Sequence, residues 1–311
     1  MVVAPALRYH GAKFRLAPWI LQFVPPHRCY VEPFGGAAGI LLRKPRSFAE
    51  VYNDLDGDVV NFFRVLRDPA QCAELIRICT LTPYARDEFE SAYAPTDDPV
   101  ERARQMAIRA AMGFGGSGSA GSTGFRIGQS RKYVTAQHLW ARYPDCLSAV
   151  ADRFRGVLIE NRPALDVLRQ HDGPETLHYV DPPYLPETRN SGRCYRHEMT
   201  VEQHVELLGA LDSLAGMVVL SGYPSELYDT RLAGWCRHTT MARMSSGRGT
   251  GLREEVVWIN RACELGLHDV PGGLFAQPEK TARTGRAEGA HGAPQGEADP
   301  CSLPHPSPRP S

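Results

Sequence analysis

The sequence predicts an α/β protein with a mainly parallel sheet and helices on both faces. Three observations carry this expectation. The runs CYVEPF, AEVYND, LHYVDPP, GMVVLSGY and EEVVWIN have the length and the β-branched or aromatic content of buried strands. Longer amphipathic segments, GDVVNFFRVLRD and TVEQHVELLGALDSLA, have helical periodicity. Strands that alternate with helices need crossover connections, which favour parallel pairing.

In chain order, the N-terminal stretch MVVAPALRYHGAKF lacks the charged-then-apolar pattern of a secretory signal, and no apolar run reaches the length that spans a bilayer. A cytoplasmic protein with no membrane partner is expected. The 311 residues are 42% hydrophobic and 23% charged, as in globular chains with ample core. Eight scattered cysteines include no C-x-x-C pair, so no metal site is expected and reduced core thiols are.

The first strand, ending at Glu32, leads through Pro33 and Phe34 into Gly35-Gly36-Ala37-Ala38-Gly39 and then an apolar helix start. Small residues suit a tight turn or close approach of backbone to a ligand, and ligands bind beyond the carboxyl ends of such strands. The spacing is not G-x-G-x-x-G, which disfavours a dinucleotide. The next strand ends at Asn53-Asp54, where a carboxylate can accept hydrogen bonds from ribose hydroxyls. Asp56 and Asp58 equally suit a cap on the following helix.

Residues 67–155 read as a helical insertion. ERARQMAIRAAMGF is helical and GFGGSGSAGSTGF a glycine–serine loop. Between Glu101 and Arg155 nine basic residues stand against three acidic ones, although net charge over the chain is zero. Such a concentration attracts phosphates, and it serves a solvated helix face equally well. The catalytic part is expected at 1–66 and 156–265. From Gly266 to Ser311, eight prolines and seven glycines with few large apolar residues predict a disordered tail.

The most informative stretch is HYVDPPY, residues 178–184. Asp181 ends a buried strand, Pro182 and Pro183 fix φ and remove two backbone donors, and Tyr184 adds an aromatic face. The result is a local cluster of acceptors without N–H donors. It suits a substrate NH2 group, one hydrogen held by the Asp181 carboxylate and the other by the Pro182 carbonyl, with the attached heterocycle stacked on Tyr184.

Together with the Glu-Pro-Phe–glycine turn and RYHGAKFRLAPWI near the N-terminus, Asp-Pro-Pro-Tyr resembles the D12-class, Dam-like DNA adenine-N6 methyltransferases. The likeness spans residues about 7–262 and extends to YRHEMTVEQHVELL, MVVLSGYPSELYD and REEVVWIN. It implies a Rossmann-like methyltransferase sheet, S-adenosylmethionine as cofactor, double-stranded DNA as partner, a helical DNA-recognition insertion and a monomer. It further implies that Tyr9 and Lys13 hold the methionine carboxylate of the cofactor, that Phe34 and Gly36 line it, that Asp54 binds its ribose and that Asp166 meets its adenine. Asp181, Pro182, Pro183 and Tyr184 would be catalytic, acting on an adenine flipped from the duplex. Arg109, Arg126 and Lys132 are the expected DNA contacts. The chain departs from the family pattern at Ala12 and Ala38, where glycines are usual. Two other readings share much of this chemistry: methylation of another planar NH2 group, such as cytosine N4 or an RNA base, and a degenerate relative that only binds DNA.

Overall fold

The computed structural model describes residues 2–114, 123–127, 135–188, 195–246 and 249–268. A short helix α1 (Ala17–Ile20) precedes strands β1 (Cys29–Glu32) and β2 (Ala49–Asn53). Helices α2 (Gly57–Arg67), α3 (Pro69–Leu81), α4 (Arg86–Ser91), α5 (Pro99–Met112), α6 (Ala136–Ala141) and α7 (Pro144–Phe154) lead to β3 (Leu158–Glu160). Helix α8 (Ala164–Gln170) is followed by β4 (Thr176–Val180), α9 (Val201–Asp212) by β5 (Met217–Gly222), and α10 (Glu226–Arg231) by β6 (Cys236–Ser246) and β7 (Gly249–Ile259). Helix α11 (Arg261–His268) runs past Gly266, where the tail was expected to begin.

The seven strands form one sheet in the order β3-β2-β1-β4-β5-β7-β6. β1 pairs in parallel with both β2 and β4, β2 with β3, and β4 with β5; β7 and β6 add antiparallel pairings. The expected mixed α/β architecture is therefore present, and its five leading strands are parallel. Side-chain alternation explains why helices cover both faces. Tyr30, Tyr52, Leu177, Tyr179 and Val219 enter one core with α2, α3, α5 and α7. Their neighbours Val180, Val218 and Leu220 enter a second core with α9 and α10. Successive strand residues point to opposite faces, so an apolar run with no polar alternation must be buried on both.

Local signals start the helices. Asp56 caps α2 by accepting from Asp58 N at 2.9 Å, and Thr200 and Gln203 form a reciprocal capping box at α9. The helix start expected after Gly39 is instead a set of turns. Ala38 has φ +55°, outside the helical region, and Pro45 disfavours helix at the residue before it.

Residues 67–155 share their core with the sheet. Phe154 of α7 stacks on Phe63 of α2 at 4.3 Å, and both rings pack on Tyr52 of β2. Met106, Ile108 and Leu147 belong to the same continuous core. Much of the local positive charge is neutralised internally. Arg102 and Arg109 pair with Asp58, Arg104 with Glu88 and Glu101, Arg153 with Glu50, and Arg155 with Asp152.

Candidate active site

The strand order reverses between β1 and β4, and this is where a crevice opens beyond the carboxyl ends of parallel strands. Three strand ends converge there, carrying Glu32, Asp54 and Asp181. The cleft is walled by Tyr9, Lys13, Phe34, Gly36, Asp54, Asp181 and Pro183, and partly covered by Tyr195 to Met199. Residues scattered over the N-terminal half thus share one cavity with Asp181 and Pro183, while Pro182 and Tyr184 are buried behind its lining.

On its N-terminal side the glycine turn wraps the cleft. Gly36 has φ +47°, and a Cβ there would lie 3.2 Å from the Tyr9 ring. Its amide donates to Asp54 Oδ2 at 2.7 Å, and Asp56 N donates to Asp54 Oδ1 at 2.8 Å. Burial pushes the Asp54 carboxyl up to about 6, against the lowering effect of those two amides. This half of the cleft thus combines a turn of small residues, the Tyr9 and Phe34 rings and an oriented carboxylate.

At the other end, Asp181 is held rigidly. Ser221 Oγ of β5 donates to Asp181 Oδ1 at 2.8 Å and lies 2.9 Å from the hydroxyl of Tyr179. The ammonium of Lys13 bonds both Asp181 oxygens, at 2.9 and 3.0 Å, and the carbonyl of Gly11 at 2.9 Å. It sits 4.7 Å over the Tyr184 ring. Lys13 is 3% exposed; burial opposes its charge, but Asp181 and then Glu255 hold its pKa above the ordinary lysine value. Lys13 therefore faces the acceptor cluster rather than the outer part of the cleft.

Tyr184 is buried beneath that ammonium, its hydroxyl donating to Glu255 Oε2 at 3.0 Å and its edge meeting Tyr223. Pro182 is also buried. Glu255 reaches the site because β7 continues beyond the end of β5: Val256 pairs with Gly222, so the preceding residues overhang the Asp181 side. Glu32 accepts from Tyr30 Oη at 2.8 Å and Leu41 N at 3.1 Å, and burial pushes its carboxyl up to about 8.

Three expected residues lie apart from the cleft. Asp166 is exposed on the first turn of α8, and Arg162 and Ala164 line the cavity instead. Arg109 is 8% exposed, bound to Asp58 Oδ2 at 3.2 Å and the carbonyl of Ala92 at 2.9 Å. The amphipathic pattern of α5 turns this guanidinium inward onto an anion. Arg126 is also buried, with its carbonyl accepting from Tyr84. Lys132 lies outside the described residues. Ser221 and Glu255 were missed by sequence reasoning, since only strand pairing shows what they touch. Among the described residues no His, Cys, Asp or Glu group could hold a metal ion, and no helix is long and apolar enough to cross a membrane.

An acceptor cluster at one end of a cleft, with a glycine turn at the other, defines an α/β protein suited to group transfer onto nitrogen. The chain belongs to the D12 class of N6 adenine-specific DNA methyltransferases, a family that matches residues 9–229. It is thus a member of a DNA methyltransferase family whose methyl donor is S-adenosylmethionine. No curated protein matches it. Among solved structures, a precorrin 8w decarboxylase from Methanobacterium thermoautotrophicum has a TM-score of 0.30 and 11% identity, over 79% of this chain and 88% of that one. That likeness is too slight to bear on function.

Proposed function

We propose that the protein transfers a methyl group from S-adenosylmethionine to N6 of an adenine rotated out of duplex DNA. The observation that carries this reading is Lys13. A nitrogen bearing N–H donors already sits on the Asp181 carboxylate, over the face of Tyr184, at the inner end of the cleft. An adenine amine needs the same acceptors and the same aromatic platform.

When bound, the cofactor supplies a methyl group on a positively charged sulfur. The protein's task is then positioning and electrostatics. The adenine N6 lone pair is delocalised into the ring. Acceptance of its two hydrogens by Asp181 Oδ and the Pro182 carbonyl favours a pyramidal nitrogen and frees that pair to attack. Pro182 and Pro183 contribute no competing amide hydrogens. Ser221 holds the carboxylate, and the proton leaves the methylated nitrogen for solvent or a weak base. Tyr9, Phe34, Gly36 and Asp54 form the cofactor half in this reading, Asp54 taking ribose hydroxyls. Asp166, exposed on the first turn of α8, is proposed to meet the adenine of the cofactor.

The sheet is read as Rossmann-like, with residues 1–66 and 156–265 catalytic, 67–155 a recognition insertion and the remainder a tail. A monomer on duplex DNA is the expected working state, with the target base flipped out because the cleft cannot admit a stacked one. Arg109, Arg126 and Lys132 are the proposed DNA contacts; Arg109 and Arg126 are both buried in this conformation, so each would have to turn outward on DNA. The test is to incubate the protein with methyl-labelled cofactor and mixed-sequence duplex, then digest to nucleosides. Label in N6-methyldeoxyadenosine supports the proposal; label in 4-methyldeoxycytidine, or none despite cofactor binding, overturns it.

A further inference from the structure

The proposed chemistry leaves one group out of place. Lys13 occupies the position its substrate amine needs, with the ammonium bound to both Asp181 oxygens and covering the Tyr184 face. Adenine cannot stack on Tyr184 or reach Asp181 until that ammonium moves. The lysine is buried, so it cannot leave for solvent without a rearrangement, and a buried cation parted from its anion is strongly disfavoured.

One carboxyl lies at the hydroxyl end of the same ring, its pKa raised by burial against the lowering field of Lys13. Glu255 is 5% exposed, and its Oε2 accepts from the Tyr184 hydroxyl at 3.0 Å. Its field is the second largest charge acting on Lys13, after that of Asp181. The charged groups around Glu255 are Lys13, Asp181 and Arg253, the last lying over the Tyr223 ring. The other acids do not qualify. Glu32 is raised to about 8 by burial, so at neutral pH it is largely uncharged and holds Tyr30 and the Leu41 amide. Asp54 is committed to two amides and Asp56 to Arg196.

We infer that Glu255 is a positioning residue that receives the Lys13 ammonium when the target amine takes its place on Asp181. The backbone of Lys13 stays fixed, its carbonyl accepting from Ala17 N, while the four-carbon stem swings. The lysine keeps the acceptor pocket filled and its carboxylate oriented before DNA arrives. It keeps a carboxylate partner after the base enters, so no unpaired cation is left in the site. This rests on the adenine reading proposed above.

The experiment is a double-mutant cycle with Glu255→Gln and Lys13→Met. Glutamine can still accept from the Tyr184 hydroxyl, so the first change removes charge alone. Steady-state methylation of mixed-sequence duplex is measured with labelled cofactor, alongside cofactor affinity by calorimetry and melting temperature. With Lys13 present, Glu255→Gln is expected to lower kcat/KM for DNA by roughly tenfold with little effect on cofactor affinity. In the Lys13→Met background, the same change should cost less than about twofold, because no ammonium needs a new partner. An equal loss in both backgrounds overturns the inference, as does Glu255→Gln with wild-type kinetics. Loss of cofactor binding by Lys13→Met also overturns it, since the lysine would then serve the cofactor. Failure of the parent reading shows separately, as absence of N6-methyladenine in wild-type digests.

Discussion

Ser221 donates its hydroxyl to Oδ1 of Asp181 across 2.8 Å, so a residue on β5 sets the carboxylate orientation at the end of β4. Asp181 lines the cleft, and Ser221 is buried behind it at 1% exposed. The hydroxyl has no direct contact with the proposed cofactor half. It belongs to the reaction only through the group it orients.

Replacing Ser221 with alanine should therefore lower kcat more than it raises KM for DNA. A loss of about tenfold in kcat corresponds to roughly 1.4 kcal/mol, within the range of one hydrogen bond to a charged group. Steady-state kinetics on duplex DNA decide this. A change confined to KM would place Ser221 in binding rather than orientation.

Asp181 itself needs a careful substitution. Alanine would remove turnover but also leave the buried Lys13 ammonium without its anion, a loss of about 3–5 kcal/mol in fold stability for buried pairs. Asp181→Asn also removes the charge but preserves shape and one hydrogen-bond acceptor for that ammonium. It is expected to abolish detectable methylation while DNA affinity, measured by fluorescence anisotropy, stays within about threefold. A parallel loss of affinity and rate would contradict the assignment.

Arg109 tests the difference between a DNA contact and a structural ion pair. It is buried on Asp58, which also binds Arg102 and Arg196. Because Asp58 keeps Arg102 and Arg196, Arg109→Ala should cost about 1–3 kcal/mol of stability, measured by urea unfolding. An unchanged salt dependence of DNA binding assigns Arg109 to the ion pair alone, whereas a slope reduced by nearly one assigns it a phosphate contact.

Ala38 adopts φ +55°, a conformation that costs an L-residue about 1–2 kcal/mol. Glycine there would relieve most of this strain and lose about 0.5–1 kcal/mol to chain entropy. Ala38→Gly should thus raise stability by about 0.5–1 kcal/mol, seen as an increase in Tm. An unchanged or lower Tm would mean that the buried methyl group contributes more through packing than its backbone costs.

Glu32 makes stability depend on pH. Its folded pKa is raised to about 8 by burial from an ordinary value of 4.5. Between those values the folded state holds a proton that the unfolded state has lost. Glu32's contribution is therefore fully present below the lower value and is lost as pH rises through about 8. Chemical unfolding from pH 5 to 9 should show this decline, and Glu32→Gln should flatten it. Identical slopes in the two proteins would refute the linkage.

Much of the chemistry was legible from local order. Asp-Pro-Pro-Tyr announces an acceptor cluster because prolines delete donors wherever the chain goes, and Asp54 and Gly36 follow strand ends whose placement parallel pairing dictates. Residues acting across the sheet were not legible. Nothing near Ser221 in sequence says that β5 lies beside β4, and Glu255 is reached only because β7 overhangs the end of β5. The basic run through α5 is a related case: charge can be counted along a chain, but its partner on another helix cannot.

The sequence by itself determined which segments bury both faces, where a donor-free turn ends a strand, and the family to which this order of motifs belongs. These follow from side-chain periodicity and backbone chemistry, which act over a few residues. Only the tertiary structure decided that Lys13 lies on Asp181, that Glu255 accepts from the Tyr184 hydroxyl and that Arg109 is turned inward. Those pairings depend on which distant side chains share a desolvated space, where an ion must find an opposite charge to remain buried.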